Sequence, residues 1–167
     1  MAFILAAGLS IHIVPWVSCQ RYGGKLVIGV NQDPPTLNAG ITSSMYAHFV
    51  SGQIFNALIE HDANLNPIPE LAESWDISKD GSTYTFRLVR NATWHDGKPF
   101  TSADVKFSYD EVIRKGFHPS GPANFASVKN IEAPDPYTVI FRLSAPFPTL
   151  MRFMGMMYGG IIPKHIY

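Results

Sequence analysis

The six residues Thr83 to Leu88, TYTFRL, constrain this chain more than any other stretch of it. Tyr84, Phe86 and Leu88 fall on one side of an extended backbone while Thr83, Thr85 and Arg87 fall on the other. Such period-two alternation belongs to a strand with one face buried and one face wet. That strand cannot stand alone, so its neighbours must supply a pairing edge and a cover. Upstream, Trp75 and Ile77 read as a second short strand, joined through a Lys79-Asp80-Gly81-Ser82 turn. Downstream comes another turn, His95-Asp96-Gly97, and then Thr101 and Asp104 at the spacing of a capping box, ahead of a helical run through Val105, Tyr109 and Val112. Trp75, Tyr84, Phe86, Trp94 and Phe107 are expected to meet in one apolar cluster.

The flanking chain carries the same kind of signals. Lys25 to Val30 reads as a buried strand, rich in β-branched residues and preceded by Gly23-Gly24. Asp33-Pro34-Pro35-Thr36-Leu37-Asn38 must be a loop, because tandem prolines fit neither a helix interior nor a central ladder. Thr42 or Ser43 then caps a helix with apolar positions at Met45, Phe49, Phe55, Leu58 and Ile59. Residues 62–69 form a polar loop, and 116–124 a loop rich in Gly and Pro. Val128 to Glu132 is a strand candidate, Asp135-Pro136 a turn, and Thr138 to Leu143 a strand with Val139, Phe141 and Leu143 inward. Pro148 suits a helix start, continued by Leu150, Met151 and Met154. Short strands and helices broken by 13 Pro and 13 Gly describe an α+β fold.

Charge and motif content narrow the chemistry. Thirteen basic and thirteen acidic residues give a net charge of zero, without the basic run that nucleic acid or anionic lipid would need. The six histidines show no metal-ligand spacing, and His95-Asp96 reads as part of a turn. Ser43, Ser44 and Ser74 lack a nucleophile elbow, and Gly23-Gly24 precedes its strand where a phosphate loop would follow one. No catalytic residue, metal site or cofactor is expected, and catalysis has no support in the sequence.

The amino terminus has its own character. From Ala2 to Val17 the chain is mostly apolar and uncharged, a length that suits the hydrophobic stretch of a secretory signal better than a spanning helix. Met1-Ala2-Phe3 lacks the positive charge such signals carry. Cys19 is the single cysteine, so no intrachain disulfide can form. Trp16-Val17-Ser18-Cys19 partly resembles a lipobox, which leaves two readings of Cys19: lipidation, or an ordinary residue near a cleavage site.

The ordered blocks LAESW, TFRL and WHDGKPFTSADVKFS, followed by IEAPDPYTVIFRLSAPFPTL, closely resemble family 5 bacterial extracellular solute-binding proteins. The earlier order of strand, DPPTLN loop, helix and ALIEHD resembles that family's start. The resemblance implies the amino-terminal portion of a two-lobed fold of the periplasmic-binding type II kind. Residues 1–20 would be the signal-like segment, 21–62 the start of lobe I, and 63–167 a satellite α+β subdomain, truncated at its carboxyl end. The implied function is an extracytoplasmic receptor of an ABC importer, for oligopeptides or dipeptides. A receptor for a nickel chelate or oligosaccharide, and a truncated remnant that transports nothing, are the alternatives. Implied partners are a peptide or similar solute and the permease and ATPase subunits in the membrane; the implied location is the periplasm or cell envelope. By the same resemblance Leu37, Asn38 and Tyr46 from the first region, and Asn124 and Phe125 from the second, are candidate ligand contacts. For the aromatic members a place in the core is the competing reading, and for Asn38 a turn.

Overall fold

In a computed structural model the described residues are 23–115, 117–155 and 159–167. Met1, Cys19 and the whole apolar amino terminus lie outside them.

The centre of the fold is an antiparallel four-stranded sheet. Its members are β3 (Ala72–Ile77), β4 (Thr83–Leu88), β5 (Val128–Asp135) and β6 (Thr138–Leu143), in the spatial order β3-β4-β6-β5. The alternation in β4 sets the register: Phe86 stands opposite Trp75 on one side and Val139 on the other. Tyr84, Phe86 and Leu88 are buried, as are Val139, Phe141 and Leu143 from the equivalent positions of β6. The two hairpin turns are built by short polar side chains. Asp80 accepts hydrogen bonds from the Ser82 amide and from the Ser78 and Ser82 hydroxyls, and Gly81 has a φ of +68°, which a residue with a Cβ adopts only under strain. Those three bonds to the charged form hold the Asp80 carboxyl down at about 2.

A helical layer covers the inner face. The capping box of Thr101 and Asp104 opens α2 (Ser102–Phe107). Directly after it the chain widens into a π-helical turn, Ser108–Ile113, closed by the Arg114 amide donating to the Tyr109 carbonyl at 2.9 Å. This corrects the expected cluster. Within the wider turn Tyr109 points inward and is wholly buried, edge-on to Phe141 at 5.1 Å and to Phe125 at 5.2 Å. Phe107 stays half-buried at the rim, and is not part of the cluster. Tyr84 and Phe86 are in it, with Trp75 and Trp94 packed against its edge. α4 (Leu150–Gly155) adds Leu150, Met151 and Met154 to the same core.

The first third of the described chain departs furthest from expectation. Lys25–Val30 forms no strand: Leu26 is 83% exposed and Val27 76%, and no described strand lies beside them. β-propensity alone does not make a strand when the backbone groups have no ladder partner. The helix α1 begins at Met45 with Ser44 as its cap, not Thr42 or Ser43, and it stops at Ser51 before Gly52. It buries its small residues, Ala47 and Ser51, so Met45 and Phe49 point outward. Leu58 and Ile59 are buried beyond the helix, Ile59 in a short strand β1 (Ile59–His61). The expected polar loop at 62–69 holds its partner, β2 (Pro67–Pro69). Asp62 makes that turn by accepting from the Asn64 and Asn66 amides, each at 2.8 Å, while Leu65 takes a left-handed φ of 64°. This hairpin joins residues on both sides of position 62. The 116–124 loop likewise contains a short helix, α3 (Gly121–Asn124).

The last described segment is strapped across the fold. The Ile161 amide donates to the Asn56 carbonyl at 2.9 Å, and the Ile162 amide to Ser108 Oγ at 2.9 Å. The Lys164 amide reaches Asp104 Oδ1 at 2.9 Å, and His165 Nε2 lies 2.8 Å from Asp96 Oδ2.

Candidate functional site

The loop after Lys25–Val30 ends in a 3-10 turn, Ala39–Ile41, and Asn38 is its cap: its Oδ1 accepts the Gly40 amide at 2.9 Å. Asn38 is half-buried with that oxygen committed to the backbone, while Leu37 is 52% exposed. Beyond that turn, Tyr46 sits half-buried in α1. The 3-10 turn packs onto the π-helical turn so tightly that a Cβ at Gly40 would meet Val112 Cγ1 at 3.0 Å.

The second group lies on α3. Its start is pressed against the same π-helical turn, since a Cβ on Gly121 would come within 2.1 Å of the Ile113 carbonyl oxygen. Only glycine fits there. Asn124 is half-buried at the end of α3, and Phe125 is 1% exposed, edge-on to Tyr109. One edge of Phe125 nevertheless borders an open groove of about 400 Å³, together with Asp110, Arg114, Pro122, Ala126 and Val128. The rim of this groove is fixed by charge. Lys106 Nζ and Arg114 both donate to Asp110, and they also donate to the Ile131 and Val128 carbonyls, which pins the π-helical turn to β5.

What brings the two groups together is a pair of histidines that spacing did not single out. His48, on the inner side of α1, and His118, in the loop before α3, lie with their rings tilted at 40° and centroids 6.2 Å apart. His118 is completely buried, and its Nδ1 accepts the Ser120 amide at 3.1 Å. Burial holds both imidazoles below the usual histidine range; for His118 the His48 ring adds to the effect, and the Thr42 backbone opposes it in both. Nothing in the sequence around either histidine announces this contact across seventy positions. The i,i+4 spacing of Lys106, Asp110 and Arg114 was the visible signal for the ion network.

Among the described residues no group of three or more His, Cys, Asp or Glu side chains is arranged to hold a metal. His95 is exposed in its turn, and Asp96 accepts the Lys98 amide at 3.1 Å besides its contact with His165. No helix among the described residues is long and apolar enough to cross a membrane.

This architecture, a four-stranded antiparallel sheet under a capped helix with a carboxyl strap, is that of the periplasmic solute-binding proteins. A solved periplasmic binding protein, AgaA of Agrobacterium tumefaciens R10 in complex with agropinic acid, superposes with a TM-score of 0.69 at 33% identity, covering 80% of this chain and 27% of AgaA. The model of bacterial extracellular solute-binding proteins, family 5 Middle, matches residues 66–165. The chain belongs to the family 5 bacterial extracellular solute-binding proteins. Among its relatives, a Brucella ovis protein named as an ABC transporter peptide-binding protein is 40% identical over 113 residues, 66% of this chain and 21% of that one. An Escherichia coli K12 protein named as a D,D-dipeptide-binding periplasmic protein, DdpA, is 36% identical over 128 residues, 73% of this chain and 24% of DdpA. The chain thus spans about a quarter or less of these relatives' length.

Proposed function

We propose that this chain supplies the amino-terminal part of an extracytoplasmic receptor that delivers oligopeptides or dipeptides to an ABC importer. The match of the family model over 66–165, with peptide-binding relatives on either hand, carries the reading. In it, residues 21–62 begin lobe I, 63–167 form a satellite subdomain, and the apolar amino terminus directs export, with cleavage or lipidation at Cys19. Solute is held and handed to permease and ATPase subunits; it is not chemically altered. Leu37, Asn38, Tyr46, Asn124 and Phe125 would line one side of the solute cleft. Asn124 offers an amide group suited to a peptide backbone and Asn38 its amide NH2, the oxygen being taken by Gly40, while Leu37, Tyr46 and the edge of Phe125 offer apolar surface.

A receptor holds its ligand by enclosure between two lobes, and this chain spans less than a third of AgaA. Residues 23–167 by themselves offer one side of such a cleft, and that segment alone should bind peptides only near about 1 mM, some 4 kcal/mol. Amide chemical-shift mapping detects binding that weak. Titration with a di- to pentapeptide pool to about 10 mM should shift residues 37–46 and 124–125, saturating on the order of 1 mM. The absence of shifts there, or shifts confined to another face, would overturn the assignment of the cleft side. Fractionation tests export separately: the chain should be found in the envelope, and an intact Met1 on cytoplasmic protein would contradict it.

A further inference from the structure

The two candidate groups meet through a contact that binding alone does not explain. His118 is wholly buried, yet it makes a specific polar connection: the Ser120 N–H donates to its Nδ1. That nitrogen therefore carries no proton, and the ring's proton sits on Nε2. The carbonyl of the same residue accepts the Gly121 amide at 3.1 Å, so His118 holds the start of α3 by ring and backbone together. The second imidazole, His48, lies against it from α1. A proton added to the His118 ring must go to Nδ1. It would cancel the bond to Ser120 and place a charge inside the contact.

The Thr42 backbone favours the charged form of both rings, but burial outweighs it. The 3-10 turn, the loop 117–120 and α3 carry no acidic or basic side chain besides His118. α1 contributes only His48 and the Tyr46 phenol. On the π-helical turn, Asp110 is engaged by Lys106 and Arg114, and Glu111 by Lys115; Tyr109 is buried in the core.

We propose that His48 and His118 form a proton-operated latch that ties α1 to the start of α3 when neutral and releases it in acid. The latch joins the segment bearing Leu37, Asn38 and Tyr46 to the one bearing Asn124 and Phe125. Its consequence for solute, a looser cleft wall in an acidic compartment, rests on the receptor reading above, but the latch itself does not. The sign follows from burial. A histidine disfavoured as a cation in the folded state costs nothing above about pH 6.5, and loosens its surroundings as pH falls from there towards its folded value.

The test follows the protein itself by NMR across about pH 8 to 5, reading the imidazole titrations and the hydrogen exchange of backbone amides. The Ser120 and Gly121 amides, corrected for intrinsic exchange, should lose protection with a slope approaching tenfold per pH unit below about 6.5. Amides of β4 and β6 should lose none beyond global unfolding. In His48→Gln, which removes the neighbouring cation, the His118 midpoint should rise while the fold persists. The latch is refuted by Ser120 protection that stays constant while His118 titrates. It is equally refuted by a His118 midpoint at or above 6.5, or by one that His48→Gln leaves unmoved. Failure of peptide binding would refute the receptor assignment and leave these results standing.

Discussion

Asp104 joins the start of α2 to the carboxyl strap, and its removal has a calculable cost. The residue is 5% exposed. Its Oδ2 accepts the Thr101 amide at 2.9 Å, closing the capping box, and its Oδ1 accepts the Lys164 amide at 2.9 Å, sixty residues away. Asp104→Ala removes the acceptor that closes the capping box, at roughly 1 kcal/mol. It also strands the Lys164 amide in the strap, at about 1 kcal/mol where water can partly reach it. The total is about 2 kcal/mol. In a urea melt that loss should appear as a lower midpoint at constant m-value. In a thermal melt it corresponds to a drop of roughly 4–8 °C for a domain of this size. Asp104→Asn keeps one acceptor oxygen and should cost about half as much. Because the aspartate serves both sites, the substitution should also expose the Ile162 and Lys164 amides to exchange, although they lie far from it in sequence. A loss below about 1 kcal/mol, or a strap that keeps its protection, would mean that the helix cap and the strap are not coupled through this residue.

Two further outcomes follow from the same structure. Phe86→Ala empties a fully buried ring site edge-on to Phe141 at 5.6 Å, and should cost about 3–5 kcal/mol in a denaturant melt; a cost below about 1 kcal/mol would contradict the strand register. The Asp80 turn should lose its contribution only as pH falls from the ordinary carboxylate range through about 2, and carbon NMR should find the Asp80 midpoint moving upward in Ser82→Ala, since a hydroxyl and its turn geometry favour the ionised form.

How much of this was legible in the sequence depends on the range of the interaction responsible. β4 and β6 could be read residue by residue because their signal is local: each alternates with period two, and the burial of Tyr84, Phe86, Val139 and Phe141 follows from that alone. The capping box was equally local. Propensity misled at Lys25–Val30, where a good strand sequence has no described neighbour to pair with, and at Pro67–Pro69, where pairing with Ile59–His61 makes a strand of residues that read as loop. The π-helical turn was invisible for a further reason. One extra residue in the turn is stabilised by Asp110 with Lys106 and Arg114 bonded onto β5, and by Tyr109 filling the core, none of which is a property of residues 108–113 alone. Phe107, two residues from both Val105 and Tyr109, faces away from them and lies at the rim.

The candidate site divides along the same line. Its loops could be located from the proline pair and from the Gly/Pro-rich stretch, but the contact between them rests on His48 and His118, which share no motif. A π-helical turn that receives Gly40 on one flank and Gly121 on the other acts as a common wall for both loops. Tolerance at the two positions should therefore differ from that of ordinary surface glycines. Gly121→Ala drives a methyl onto the Ile113 carbonyl and must displace α3, together with Asn124 and Phe125. At Gly40 the neighbours are side-chain atoms, Val112 Cγ1 at 3.0 Å and Asn38 Oδ1 at 3.1 Å, and not a backbone carbonyl. The geometry of the proposed cleft side is thus set more by what fits against residues 112–113 than by the side chains that would touch a solute.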